Sequence, residues 1–301
     1  MKSKTFMYFF TALFLCSALY AAPQQYDNSL EDNLAIVKVG VNNVFKKKIK
    51  HYTPKDLSLA IQNNMRQKIK EILDSQDVSV ESELVYIRSI ADTPLRREFH
   101  LTPLTMAAML QYKKIVKMLI DDYHAEVNRP SPDGKVPLWY AACSPTIIQI
   151  LIDKGANVDG VQDTEAPLLE AARYCSKRSV ETFINNNANV NVIGEKGRTP
   201  LHEAVYHILA MNSENVQVLV DNEADINIQD EDGNTPMHIA VTWAKQRVHD
   251  IDDLTIRREG RKIAEILFKK HPDLDTKRNK EGKTVRDIYP ELITKLENKN
   301  I

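Results

Sequence analysis

One opening recurs five times along this chain. It reads FHLTPLTMAAML from Phe99, DGKVPLWYAACS from Asp133, DTEAPLLEAARY from Asp163, KGRTPLHEAVYH from Lys196 and DGNTPMHIAVTW from Asp232. The aligned prolines, Pro103, Pro137, Pro167, Pro200 and Pro236, lie 34, 30, 33 and 36 residues apart. A period in that range marks an array of small units, none of which can bury its apolar face alone. Each opening leads into a second apolar segment. KIVKMLIDD, TIIQILIDKGANVD, SVETFINNNANVN and NVQVLVDNEADIN follow the first four, and IAEILFKKHPDLD follows the fifth.

Elementary chemistry reads the opening as the start of a helix. Proline fits the first turn, where its missing N–H would have no partner anyway. Thr102, Thr199 and Thr235 stand where a hydroxyl can cap the exposed N–H groups. Ala107, Ala108, Ala141, Ala142, Ala171 and Ala172 are small where neighbouring helices must approach closely. Leu119, Leu151 and Leu219 are the wide side chains that fill the space between layers.

The pattern resembles the ankyrin repeat family: a turn, then T-P-L-H-x-A-A on a first helix, V-x-x-L-L on a second, then G-A-x-x-N. The resemblance covers Phe99 to about Ile288, nearly two-thirds of the chain. It implies an all-α ankyrin-repeat solenoid of stacked helix pairs with short β-like fingers. It also implies that His202 and His238 bond locally and hold the turn against the first helix. Family members bind proteins on the surface lined by fingers and first helices. Units run at 99–129, 131–160, 164–193, 197–230 and 233–279, and a C-terminal cap occupies 280–301. Residues 22–98 read as an N-terminal helical cap. Within it, Pro54–Val80 is either a divergent unit or an unrelated cap, and Ser29–Lys50 is another amphipathic helix. Lys46–Lys50 reads as a solvated face.

The departures from the pattern are where function is sought. The fifth unit carries an insertion at 245–262, either a surface excursion or an element beside a binding face. Trp139 replaces the usual histidine, as an interlayer packer or as an anchor for a partner. Tyr140 is expected to be exposed, and Tyr174 lies at a nearby height. Trp and Tyr are enriched at interface hot spots. The fingers supply Glu195, Lys196, Arg198, Asp230 and Glu231. The insertion supplies Arg257 and Arg258. These ten residues are the candidate protein-binding set.

Enzyme chemistry finds no foothold. HEAVYH suggests a zinc protease, but that site needs histidines four apart on one helical face. His202 and His207 are five apart, which turns them about 140° from each other. The chain shows no nucleophile elbow, phosphate-binding loop or dinucleotide fingerprint. The reading is a non-enzymatic protein with no cofactor and no metal.

The N-terminus reads as a secretory signal at 1–21. Lys2 and Lys4 precede an uncharged, mostly apolar run, Phe6–Ala21, with small residues and Pro23 after it. That run is short for a membrane span, which needs about 20 residues. No stable span is expected after cleavage. Removing both lysines takes the formal charge from -1 to about -3, which argues against nucleic acid as a partner. The mature chain keeps Cys143 and Cys175, compatible with one bridge in an oxidising compartment or with buried free thiols. The resulting expectation is a secreted or periplasmic monomer that grips another protein, bacterial or host. Alternative roles are an exported bacterial effector acting on a host protein, or an inhibitor or stabiliser of a periplasmic enzyme.

Overall fold

The computed structural model describes residues 51–89, 96–162, 164–207, 213–245, 251–270 and 276–299. The signal segment, the Ser29–Lys50 helix and the Lys46–Lys50 run lie outside the described residues. Two compact units divide the chain, and the larger comprises Tyr52–Tyr86 with Glu98–Ile301. That unit contains all the described helices.

Helices come in pairs. The first pair is α1 (Pro54–Gln62) and α2 (Arg66–Asp74). Strands β1 (Leu84–Ser89) and β2 (Arg96–Leu101) follow and pair as a two-stranded sheet. Residues 84–98 therefore include strand where the sequence reading expected a helical cap. The physical reason is alternation: Leu84 is buried and Tyr86 half-buried, while Val85 and Ile87 face out, a period of two that a helix cannot use. Four further pairs are α3 (Pro103–Met109) with α4 (Lys113–Asp121), α5 (Pro137–Tyr140) with α6 (Pro145–Asp153), α7 (Pro167–Tyr174) with α8 (Lys177–Asn185), and α9 (Pro200–Tyr206) with α10 (Ser213–Asp221). The fifth unit pairs α11 (Pro236–Lys245) with α12 (Ile251–Lys270), and α13 (Val285–Ile288) and α14 (Pro290–Lys299) close the chain.

The core is layered as the repeat dictates. Leu104, Leu138, Leu168, Leu201 and Met237, each just after its proline, are almost completely buried. So are Leu119, Leu151, Phe183, Leu219 and Leu267 on the second helices. Each such side chain contributes about 1.5–3 kcal/mol by leaving water.

Polar bonds set the register between layers. The Asn128 carboxamide oxygen accepts from Asn157 N at 2.8 Å, Asp159 Oδ1 from Asn189 N at 2.8 Å, and Asn191 Oδ1 from Asp225 N at 2.7 Å. Each rung joins one unit to the next at the end of the second helix. At the other end, Glu231 N donates to Lys196 O and Lys280 N to Asp232 O, both at 2.9 Å. This finger pairing is close. Gly233 has φ +74°, and a Cβ there would lie 3.0 Å from Lys280 N.

The insertion is a helix extension. The second helix of the fifth unit, α12, has 20 residues, against nine in α10.

Candidate functional site

Two kinds of first helix stand side by side in this fold. In the fourth and fifth units the helix opens on Thr-Pro. The Thr199 hydroxyl accepts from His202 N at 3.4 Å, and Thr199 N donates to His202 Nδ1 at 3.2 Å. The other ring nitrogen reaches forward, His202 Nε2 to Asn234 O at 3.0 Å and His238 Nε2 to Lys283 O at 3.2 Å. Both histidines are fully buried. Burial holds the His202 imidazole below its usual range. The neutral ring then donates forward through Nε2 and accepts through Nδ1. These rings fasten each turn to the next finger and are structural.

The second and third units have Val136 and Ala166 in place of threonine, and neither helix has a side-chain cap. Trp139 and Leu169 replace the histidine. Trp139 keeps the forward reach, since its Nε1 donates to Glu165 Oε2 at 3.1 Å. Lys135 Nζ lies 3.3 Å from the Trp139 ring centre and 3.7 Å from Glu165 Oε2. Tyr140 stacks edge-on against Trp139 with ring centres 5.0 Å apart. It is half-buried rather than exposed, because its hydroxyl donates to Asp133.

Arg173, near the end of α7, stands at the centre of the cluster. Its Nε donates to Glu203 Oε2 at 3.0 Å, Nη1 to Glu170 Oε2 at 3.3 Å and Nη2 to Glu165 Oε1 at 2.9 Å. One carboxylate comes from a finger, one from the same helix and one from the next unit. Burial works against the Arg173 charge, but the three carboxylates raise its pKa above the ordinary value. His207 Nε2 lies 3.5 Å from Glu203 Oε2, and its ring meets Tyr174 edge-on at 4.8 Å.

The two glutamates on equivalent positions of successive first helices are driven apart. Burial lifts the Glu170 carboxyl to about 7, outweighing the pull of Arg173 and Lys135. Burial also pushes Glu203 up, but hydrogen bonds from His207 and Arg173 outweigh it and bring that carboxyl down to about 2. The strip from Lys135 to His207 therefore offers aromatic edges, two cations and three carboxylates, one of them near its proton-exchange point at neutral pH. It spans three consecutive units.

The remaining candidates fall into separate places. Glu195, Lys196 and Glu231 are exposed at finger tips, and Glu195–Gly197 is a single 3-10 turn. The Arg198 guanidinium lies over the Tyr206 ring at 3.6 Å. Asp230 is buried, and its Oδ1 accepts from Asp232 N at 2.9 Å and Asn234 N at 2.8 Å, so it builds the turn. Arg257 is half-buried and Arg258 exposed on α12. Lys135 and Glu165 end the polar fingers 129–135 and 160–165, which the sequence marks as candidates, but sequence reasoning missed Glu170, Arg173, Glu203 and His207 as binding residues. A signal existed, because Glu170 and Glu203 each stand three residues after the proline in successive units. Among the described residues no cluster of histidine, cysteine, aspartate and glutamate has the arrangement of a metal site.

A covalent bond joins the same two units. Cys143 and Cys175 form a disulfide with Cα atoms 4.8 Å apart, linking the turns that follow α5 and α7. This decides between the two alternatives left by the sequence. Asn215 Nδ2, from the fourth unit, donates to Cys175 O at 2.9 Å.

The fold and the repeated units define an array of helix pairs with paired fingers. The family model for ankyrin repeats, three copies at a time, matches residues 57–162, 148–230 and 168–251. The chain belongs to the ankyrin repeat family. Among solved structures it is similar to the human ASB11 ankyrin repeat domain, with a TM-score of 0.59 at 21% identity over 80% of this chain and 96% of that one. The Bcl-3 ankyrin repeat domain gives a TM-score of 0.60 at 19% identity, over 81% and 98%. These likenesses show the fold. Among curated proteins, the human neurogenic locus notch homolog protein 1 is 33% identical over 97 residues, 27% of this chain. The Drosophila melanogaster ankyrin repeat and KH domain-containing protein mask is 32% identical over 105 residues, 33% of this chain. The chain spans only 4% and 3% of the length of those two relatives. Ankyrin repeats are generally protein–protein interaction modules and typically non-enzymatic. Among the described residues no helix is long and apolar enough to cross a membrane.

Proposed function

We propose that this chain is a non-enzymatic binding protein, secreted or periplasmic, that grips a bacterial or host protein on its first helices and fingers. The observation that carries the reading is the Lys135–Trp139–Glu165–Arg173–Glu203–His207 strip. These side chains depart from the repeat pattern and form one connected, partly exposed strip over three units. A rigid array holds such a surface in order before binding, which keeps the ordering cost low. Two observations support an export route. Lys2, Lys4 and the apolar Phe6–Ala21 run have the order of a secretory signal. The Cys143–Cys175 bridge suits an oxidising compartment.

The test is site-specific photo-crosslinking from Tyr140, Lys196 and Arg258 in the mature chain, against periplasmic extract and host-cell lysate in parallel. A discrete crosslinked protein from Tyr140 or Lys196, lost on Arg173→Ala, is expected. With a fourth probe at Arg66, crosslinks confined to residues 24–97 would place the surface elsewhere. Alkylation of free thiols before and after reduction, on chain recovered from its own cells, checks the compartment. Freely alkylated Cys143 and Cys175 would count against export.

A further inference from the structure

The long helix of the fifth unit carries a cationic site that the Arg173 strip does not use. Helix α12 crosses α11 closely at Gly260, where a Cβ would lie 2.7 Å from Ala244 N and 3.0 Å from Trp243 Cβ. That contact fixes the rotation of α12. Four-residue spacing then brings Arg257 and Arg261 to one side of the helix, toward Tyr289 beyond α13. Arg261 Nη2 donates to the Tyr289 hydroxyl oxygen at 3.2 Å. Burial raises the Tyr289 phenol, but hydrogen bonds from Arg261 and Arg257 outweigh it and hold the group below its usual range. Both guanidinium groups therefore converge on one oxygen.

Among the described residues the ion pairs engage the arginines at 129, 173, 278 and 286 but neither Arg257 nor Arg261. Glu259, two positions from each, points from the opposite side of the helix. Among the described residues the Nε atoms of Arg257 and Arg261 and Trp243 Nε1 are buried without an acceptor, and Glu259 Oε2 is buried without a donor. Half-buried cations without a partner are costly, and unsatisfied buried donors are uncommon enough to need an explanation. The Tyr289 hydroxyl, already accepting from Arg261, still has its own proton to donate.

We infer that Arg257, Arg261 and Tyr289 form a receptor for a side-chain carboxylate on an acidic segment of a partner protein. The inference rests on the protein-binding reading. The guanidinium N–H groups and the phenol O–H supply donors for two carboxylate oxygens, and planar guanidinium forks match a planar carboxylate.

The probe is a fluorescein-labelled octapeptide of alternating glycine and glutamate, titrated with the mature chain and followed by anisotropy. Binding is expected to weaken about tenfold or more in Arg257→Gln/Arg261→Gln and a few-fold in Tyr289→Phe. Lys113→Gln/Lys114→Gln, on the exposed side of α4, leaves it unchanged. Should the double glutamine variant lose its native circular dichroism, Arg257→Lys/Arg261→Lys keeps the charges without the forks and is expected to weaken binding as well. Three results would overturn the site: unchanged affinity in the folded double variant, equal binding of a glycine/glutamine octapeptide, or tighter binding of a phosphoserine octapeptide. Failure of the peptide together with an intact Tyr140 crosslink removes this receptor and leaves the protein-binding reading standing. Peptide binding without any crosslinked partner does the reverse.

Discussion

The second and third units differ from the fourth and fifth in how they are fastened, though they share one fold. In the fourth and fifth, Thr199 and Thr235 bond His202 and His238, and those buried rings bond the finger ahead. In the second and third, those residues are gone. The disulfide, the Trp139–Glu165 bond and the Arg173 carboxylate cluster stand in their place. Helix α5 has only four residues, against seven in α9. The lesson is that a repeat can hand its fastening from buried consensus groups to half-exposed charged and aromatic ones. The fastenings of the second and third units are thereby the ones a partner can reach.

The largest break of that contrast is Cys143→Ser/Cys175→Ser. Opening a bridge with a sequence separation of 32 is expected to cost about 3 kcal/mol. Reductant should lower the melting temperature of the parent chain and leave the double variant unmoved. Equal effects of reductant on both would show that the bridge does not fasten these units.

Glu203→Gln comes next, at about 2–3 kcal/mol above pH 5. The sign follows from the shifts. Glu203 titrates near 2 in the fold against an ordinary value of 4.5, so its contribution is full above about pH 5 and disappears as pH falls toward 2. Glu170 is opposite. Its folded value of about 7 lies above the ordinary 4.5, so its charge destabilises the fold above pH 7 and the penalty fades as pH falls toward 4.5. Glu170→Gln should therefore raise the melting temperature at pH 8, by about 1 kcal/mol of stability, and do little at pH 5. Melting curves at both pH values check the pair, and a variant effect of the same sign at Glu170 and Glu203 at pH 8 would contradict it.

In the other half, His202→Ala leaves Thr199 N without its acceptor and removes one of two donors to Asn234 O, and should cost about 1–3 kcal/mol. Smallest of all is a gain. Val136→Thr installs the missing cap on α5 and should stabilise by about 1 kcal/mol, measured by urea unfolding. A loss there would mean that the short helix cannot use a cap.

The helices were legible because proline, alanine and leucine recur at positions set by helix geometry, and Thr-Pro announces the first helices of the first, fourth and fifth units. The finger charges were legible as exposed and as nothing more. Arg173 was not, because its partners lie 8 residues behind and 30 ahead, distances that gain meaning only once the layers are stacked. The disulfide had a readable clue. Its 32-residue separation is nearly one period, which puts both sulfurs on neighbouring layers. The clue was blurred because Cys143 and Cys175 follow their prolines by different distances, a result of the short α5. Strand β1 was missed because Leu84 and Tyr86 alternate over too few residues to outweigh the helical stripe before them.

The forward reach of the imidazoles gives the array a direction. His202 is completed by a finger carbonyl 32 residues later, and His238 by one 45 residues later. A chain emerging from its N-terminus therefore always carries one unfinished unit at its trailing edge. Each unit locks only when its successor arrives. For a protein threaded through a pore, the newest segment stays pliable while the older ones harden behind it, and only the closing Asn279–Lys283 turn ends that sequence.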